Sequence, residues 1–371
     1  MSSNSMTAHS AERLFAEMAS RGLVDRNEQS RLETFAISRI SEHELPLYMR
    51  LLIGLGAIIT AFCFIGFLTA AGLIDVKQAG GLIIWGVLFI AGAISLSLAS
   101  KGQDHTLAHS FFIQTSFCLM GTGKALFALG VATLFEPESE WGITLGALLV
   151  TAATYHVYRL SIDRFLSVLA ILVTLFSNLL SLRVADGFQA IWLNAFFIAQ
   201  LVGAAFLMTH GRISRDYIPI AYALIASLCI IVLYFATQSM IGHWTSRHAF
   251  SPVIMNISLT VALIALIGWA AGGIERLKSE ALAVACLGAI GLGIVSAPGV
   301  LLSIGLMIFG YARHDRLLLV AGGLLLPIFL TFYYYNLDLT LMLKSGILIG
   351  SGLLLLAGRA YMHYRGLDRE A

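Results

Sequence analysis

The sequence predicts an all-α, polytopic transmembrane helix bundle of about twelve spans with a small helical cap at its amino terminus. Three observations carry that prediction. Of 371 residues, 58% are hydrophobic and only 12% charged, against roughly 45–50% and about 25% in ordinary soluble domains. So few charges could not cover a soluble interior of this size, and the mean hydropathy of +0.85 points to lipid as the solvent. Apolar stretches also recur along the whole chain, each bounded by charge or by turn residues. The same composition excludes other classes. A net charge of +2, with no long basic run outside the termini, leaves no nucleic-acid footprint. Cys63, Cys118, Cys229 and Cys286 each lie inside an apolar stretch without C-x-x-C spacing, so they are expected as four free thiols and not as a disulfide framework.

The first element is residues 1–47. Its acids and arginines are interspersed and no early apolar core is present, so it is not a secretory signal, and the first apolar segment is expected to act as an uncleaved signal-anchor. Ala11 to Arg21 places Leu14, Phe15 and Met18 on one helix face, with Gly22 as a C-cap. Asp25 and Glu28 resemble a capping box opening a second helix that carries Leu32, Phe35, Ala36 and Ile40. Both helices are amphipathic and too short to span. The pair reads either as a cytoplasmic cap folded onto the bundle or as a docking module for a protein partner. Pro46 marks the junction with the transmembrane domain, 48–360, and 361–371 form a short cytoplasmic tail.

A span needs about 20 mostly apolar residues, because the hydrocarbon layer is ~30 Å thick and a helix rises ~1.5 Å per residue. Twelve segments qualify in order: 50–73, 80–99, 106–135, 141–158, 165–182, 188–209, 217–239, 252–273, 281–296, 299–312, 317–335 and 339–358. The third is long and is expected to bend or split near Gly121-Thr122-Gly123-Lys124. The ninth and tenth are short and meet at Ser296-Ala297-Pro298-Gly299. They are either two spans or a re-entrant hairpin, which lowers the count to ten. No loop is long enough for a separate domain, and no internal repeat stands out, which argues weakly against an inverted-repeat transporter.

Charge sets the orientation. With the amino terminus in the cytoplasm, 18 lysines and arginines fall on the cytoplasmic side, and only Lys77, Arg183 and Arg247 on the other. Translocation of cationic loops is disfavoured, so both termini are expected inside. Lys124 and Lys344 remain within spans.

An ionisable group at mid-bilayer costs about 2.5–3.5 kcal/mol even on lenient scales, so these two lysines are the first candidate binding residues. Lys124 lies about twelve residues inward from Glu136, too deep to snorkel easily. Its functional reading is an anion or carboxylate partner or a water-filled cavity. Its plain reading is a structural bond to backbone carbonyls or to a polar side chain on another helix. Lys344 is shallower and snorkelling explains it. Yet Tyr333, Tyr334, Tyr335, Asn336 and Asp338 precede it, so Asn336, Asp338 and Lys344 could line an outward-facing pocket. No carboxylate sits at a span centre, which weighs against proton- or sodium-coupled carriers. His105 and His109 could share a helix face but lack a third ligand, so no metal site is expected. His156, His314, Arg159, Arg164, Arg212, Arg215, Arg313 and Arg316 crowd the cytoplasmic rim, where lipid phosphates could bind. Positive-inside charge alone also explains those arginines. Gln114, Asn178, Asn194, Gln200 and Asn256 read as glue between helices, and Gly346 to Gly350 as a small-x-x-x-small contact. No catalytic motif appears, so neither enzyme activity nor a cofactor is expected.

The stretch Phe332-Tyr333-Tyr334-Tyr335-Asn336-Leu337-Asp338-Leu339-Thr340-Leu341, continuing through Lys344-Ser345 to Leu356, resembles bacterial inner-membrane proteins grouped as domain of unknown function 4401. The opening Arg50-Leu51-Leu52-Ile53-Gly54-Leu55-Gly56 shares the likeness, which runs from about residue 45 to 360. The resemblance implies a polytopic bacterial inner-membrane protein and supplies no catalytic residue. It singles out the Tyr-Asn-Leu-Asp to Lys-Ser stretch. Two functions follow as expectations: binding or moving a small solute at a polar site in the bundle, or a membrane scaffold without transport. The partners expected are the lipid bilayer and, through residues 1–47, a protein; the oligomeric state is open.

Overall fold

A computed structural model describes residues 78–100, 107–135, 141–182, 186–209, 217–241, 252–270 and 280–336, with further positions between 56 and 72 and between 342 and 356. The amino-terminal pair 1–47 lies outside the described residues. Ten helices follow one another and, among the described residues, no strand occurs: α1 Ala79–Ala99, α2 Leu107–Ala132, α3 Trp141–Thr154, α4 Ser161–Ser181, α5 Asp186–Thr209, α6 Ile218–Ile241, α7 Pro252–Ala270, α8 Glu280–Val295, α9 Pro298–Ala312 and α10 Arg316–Asn336. Seven are long and apolar enough to cross a membrane: α1, α2, α4, α5, α6, α7 and α10. Only helices satisfy every backbone group internally in lipid, which is why so apolar a chain folds this way.

The chain divides between Asp163 and Arg164 into two compact units. In the first, α1 and α2 run antiparallel at very close range. A Cβ on Gly86 would lie 2.8 Å from the Phe127 nitrogen, and one on Gly123 would lie 2.8 Å from the Gly86 carbonyl oxygen. Only a missing side chain allows backbones that near, the usual basis of helix association where both lipid and protein are apolar. This packing is where the glycines around Lys124 go: α2 does not split there but runs unbroken through Gly121 to Lys124. α3 docks on α2 the same way, with Gly142 against Ala132 and Gly146 against Ala128.

The second unit is built on the α9–α10 hairpin, with α6, α7 and α5 around it and α8 against α7. Its core joins Phe197, Leu228, Met255, Leu301 and Phe329, all about 1–2% exposed. Gly310 makes the hairpin possible, since a Cβ there would meet the Leu319 nitrogen at 2.6 Å. The turn is knitted by its own polar residues. Asp315 accepts from the Leu317 N–H at 3.0 Å and so caps α10, and it also accepts the Tyr222 hydroxyl of α6. Exposed Arg313 donates to the Met208 carbonyl at the end of α5. α8 and α9 are separate helices meeting at Ser296-Ala297, where Asn256 donates to the Ser296 carbonyl at 3.1 Å.

Candidate functional site

Ser116, Met120 and Lys124 recur every four residues and therefore share one face of α2. That face meets the connection between α3 and α4. The Lys124 Nζ donates to Asp163 Oδ2 at 2.5 Å, with the two side chains 10% and 5% exposed. Asp163 stands in the first turn of α4, where the amino-terminal end of the helix dipole favours a carboxylate. In the span Phe111–Ala132, Lys124 is about 12 Å from one end and about 20 Å from the other. A buried cation and a buried anion thus neutralise each other in the interior of the first unit.

One turn on either side of Met120 the polar contacts continue. Ser116 Oγ donates to the Ala93 carbonyl at 2.8 Å and lies 2.8 Å from the Tyr158 hydroxyl. Because the serine proton is used on Ala93, the Tyr158 phenol is the donor in that second bond. Tyr158 is 1% exposed, and burial pushes its phenol up to about 12, so it remains protonated and able to donate. α1, α2 and the α3–α4 connection are therefore tied at this level by a serine, a tyrosine and an ion pair.

Sequence reasoning singled out Lys124, whose side chain is buried, and did not identify its carboxylate. The fifth apolar segment was expected to start at 165, which puts Asp163 with the peripheral acids of the loops. The helix instead starts at Ser161, and Asp163 is 3% and Arg164 5% exposed. The sequence held no clear signal, because the preceding apolar segment reads as 141–158. That helix, α3, instead ends at Thr154 after 14 residues, and Tyr158 and Asp163 beyond it are buried.

Of the other candidates, Asn336 closes α10 with its side chain outside the described residues, and Asp338 and Lys344 lie outside them altogether. His105, the His109 side chain and the Gly346–Gly350 pair as a whole lie outside them too. Among the described residues, no three His, Cys, Asp or Glu side chains gather as metal ligands. The glue reading fits Asn256, which bonds from α7 to the Ser296 carbonyl. Asn194 instead donates within its own helix to Ala190, and among the described residues the Gln200 amide has no partner. An amide not singled out in the sequence ties α5 to α4. Gln189 Nε2 donates to the Leu179 and Leu180 carbonyls at 3.2 and 2.8 Å, capping α4. All four cysteines are free thiols.

Seven apolar spanning helices and an ion pair sealed within the first unit define an α-helical membrane protein. The chain belongs to the family described as Domain of unknown function (DUF4401), whose model matches residues 46–365. No curated protein and no solved structure matches it.

Proposed function

We propose that the chain is a multi-pass protein of the bacterial inner membrane that binds or moves a small solute, with Lys124 and Asp163 as its polar site. The observation that carries the reading is the 2.5 Å pair itself. An intramembrane ion pair is costly to desolvate and is usually kept for a role. An anionic group that competes for Lys124, or a proton that neutralises Asp163, would open the pair. The Tyr158–Ser116–Ala93 chain beside it would keep the opened site in register. Both termini are cytoplasmic in this proposal, with about twelve spans and a direct lipid surface. No catalytic step and no cofactor are assigned.

The test uses purified protein in lipid nanodiscs and a panel of small anions, amino acids and carboxylates. A ligand of this site raises the thermal midpoint of the native protein, and the doubly apolar Lys124→Met/Asp163→Leu variant loses that shift while still folding. No shift from any panel member, or an equal shift in the double variant, removes the reading. A scaffold without transport is the second reading. The backbone-to-backbone glycine contacts of α1, α2 and α3 favour it, because they make a rigid platform. That reading expects the double variant to keep all cellular function, which complementation of a deletion strain measures.

A further inference from the structure

Within the second unit, α5, α6, α7 and α9 leave a cavity of about 790 Å³, lined almost wholly by apolar side chains and open at the side. Its flanks are among the more exposed apolar surfaces of the protein, with Val202, Ile257 and Val261 each 59–61% exposed. Along α5 it extends from Ile198 to Thr209 and along α7 from Ile254 to Trp269, about 17 and 22 Å of helix. That is slightly more than one leaflet of a ~30 Å hydrocarbon layer. An empty groove in hydrocarbon forfeits dispersion contacts along its lining, so in a bilayer a chain fills it.

One end of the groove is chemically distinct. Met208 and Phe309 line it there, with the Trp269 ring tilted against Phe309 at 5.6 Å between ring centroids. Tryptophan favours the membrane interface. Arg313 sits one turn beyond Phe309, is exposed, and gives one guanidinium N–H to the Met208 carbonyl. That bond places the guanidinium beside the Met208 end of the groove, and a guanidinium fork is the side-chain group best suited to a phosphate. In sequence, Arg212 and Arg215 follow α5 together with Asp216, and Arg276 and Lys278 follow α7 together with Glu275, so each of these connections keeps a small excess of positive charge.

We propose that this groove is a binding site for one anionic phospholipid, an acyl chain lying between α5 and α7 and the phosphate on Arg313. Length, apolar lining and the cation at one end match that molecule. A zwitterionic lipid offers the same phosphate, but its own ammonium offsets that charge and competes with the guanidinium for it. On the orientation proposed above, the lipid belongs to the cytoplasmic leaflet.

The experiment is native mass spectrometry of the full chain, purified in mild detergent and offered phosphatidylglycerol or phosphatidylethanolamine. The native protein is expected to retain one phosphatidylglycerol, about tenfold in preference to phosphatidylethanolamine, because the ammonium of the latter weakens the pull of its phosphate on the guanidinium; tenfold is about 1.4 kcal/mol. Arg313→Gln should bring the two lipids to near parity, and Arg313→Lys should keep part of the preference. Ala205→Trp/Ala265→Trp, at exposed lining positions of the two walls, should lower retention of both lipids about tenfold or more without disturbing the core. Retention of no lipid by the native protein overturns the proposal. Equal retention of the two lipids, or undiminished binding by the tryptophan pair, overturns it equally. Unchanged thermal midpoints for the tryptophan pair and Arg313→Lys keep a folding defect separate from a binding one.

Discussion

Removing Asp163 while leaving Lys124 is the most informative single perturbation. Asp163→Ala leaves a lysine 10% exposed on its side chain, with its ionic partner gone. Breaking a buried pair in this way costs about 3–5 kcal/mol. Escape by neutralisation gives no relief. An ordinary lysine forced to shed its proton at pH 7 gives up about 4.6 kcal/mol at 1.36 kcal/mol per pH unit. At about 2–4 °C per kcal/mol for a folded unit of 150–250 residues, the midpoint should fall by roughly 6–20 °C. The apolar double variant Lys124→Met/Asp163→Leu carries no orphaned charge and should return to within a few degrees of the native protein, or exceed it. With the singles Lys124→Met and Asp163→Leu added, thermal unfolding in one detergent, followed by intrinsic fluorescence, reads all four corners of the cycle, and the coupling should reach about 2 kcal/mol or more. A fall smaller than about 3 °C for Asp163→Ala refutes the reasoning. So does a double variant as unstable as the single one, for then the pair contributes nothing that its two charges do not lose separately.

Three further outcomes can be measured on the same preparation. Gly86→Val drives a methyl into the Phe127 nitrogen and the Gly123 carbonyl oxygen and should cost about 1–3 kcal/mol or more. Gly121→Ala, where nothing lies within 4 Å, should leave stability unchanged or up by about 1 kcal/mol, and equal losses at both sites would contradict the close α1–α2 contact. Tyr158 ionises near 10 unfolded and only at about 12 folded. The unfolded chain therefore binds fewer protons across that window, and stability should fall as pH rises from 10 to 12, by on the order of 2 kcal/mol. Tyr158→Phe should flatten the decline, and an identical decline in that variant counts against the buried donor. Gln200 is 2% exposed, and among the described residues neither its Oε1 nor its Nε2 has a hydrogen-bond partner. Gln200→Leu should then be neutral or stabilising, and a loss beyond about 1 kcal/mol would mean the amide holds something.

Most of the helix order could be read before any coordinates, for a physical reason. In lipid the only long-range constraint on a segment is apolar length, and that is written directly in composition. The expected segment 188–209 returns as Asp186–Thr209 and 317–335 as Arg316–Asn336. Pro298 marks the start of α9 because it lacks the N–H that a helix start does not need. Partnerships were far less legible. Lys124 was conspicuous because a charge in an apolar run has no local excuse. Asp163 was not, because an acid beside Arg164 in a short connection looks the same in sequence whether the connection is wet or buried. Gly121 and Gly123 misled in the same way, since a Gly-Thr-Gly-Lys run reads as a helix breaker until the neighbouring backbone at Gly86 is known. Asp315 and Arg313 read as surface charges, yet both are committed to α6 and α5 by hydrogen bonds that sequence proximity does not encode.

The length of α3 has a consequence for the lipid beside it. Leu145, Leu148 and Leu149 are 45–50% exposed and Trp141 stands exposed at one end, so this helix keeps an apolar face outward, and the consequence holds wherever that face meets a bilayer. Its 14 residues present about 21 Å of apolar height to a layer ~30 Å thick. Acyl chains there must shorten or splay, drawing headgroups and water down the flank of the protein toward Tyr155 and His156. Such hydrophobic mismatch carries a cost for every ångström. It makes this protein's comfort depend on membrane thickness, with thinner bilayers preferred and a dimple carried along wherever it diffuses.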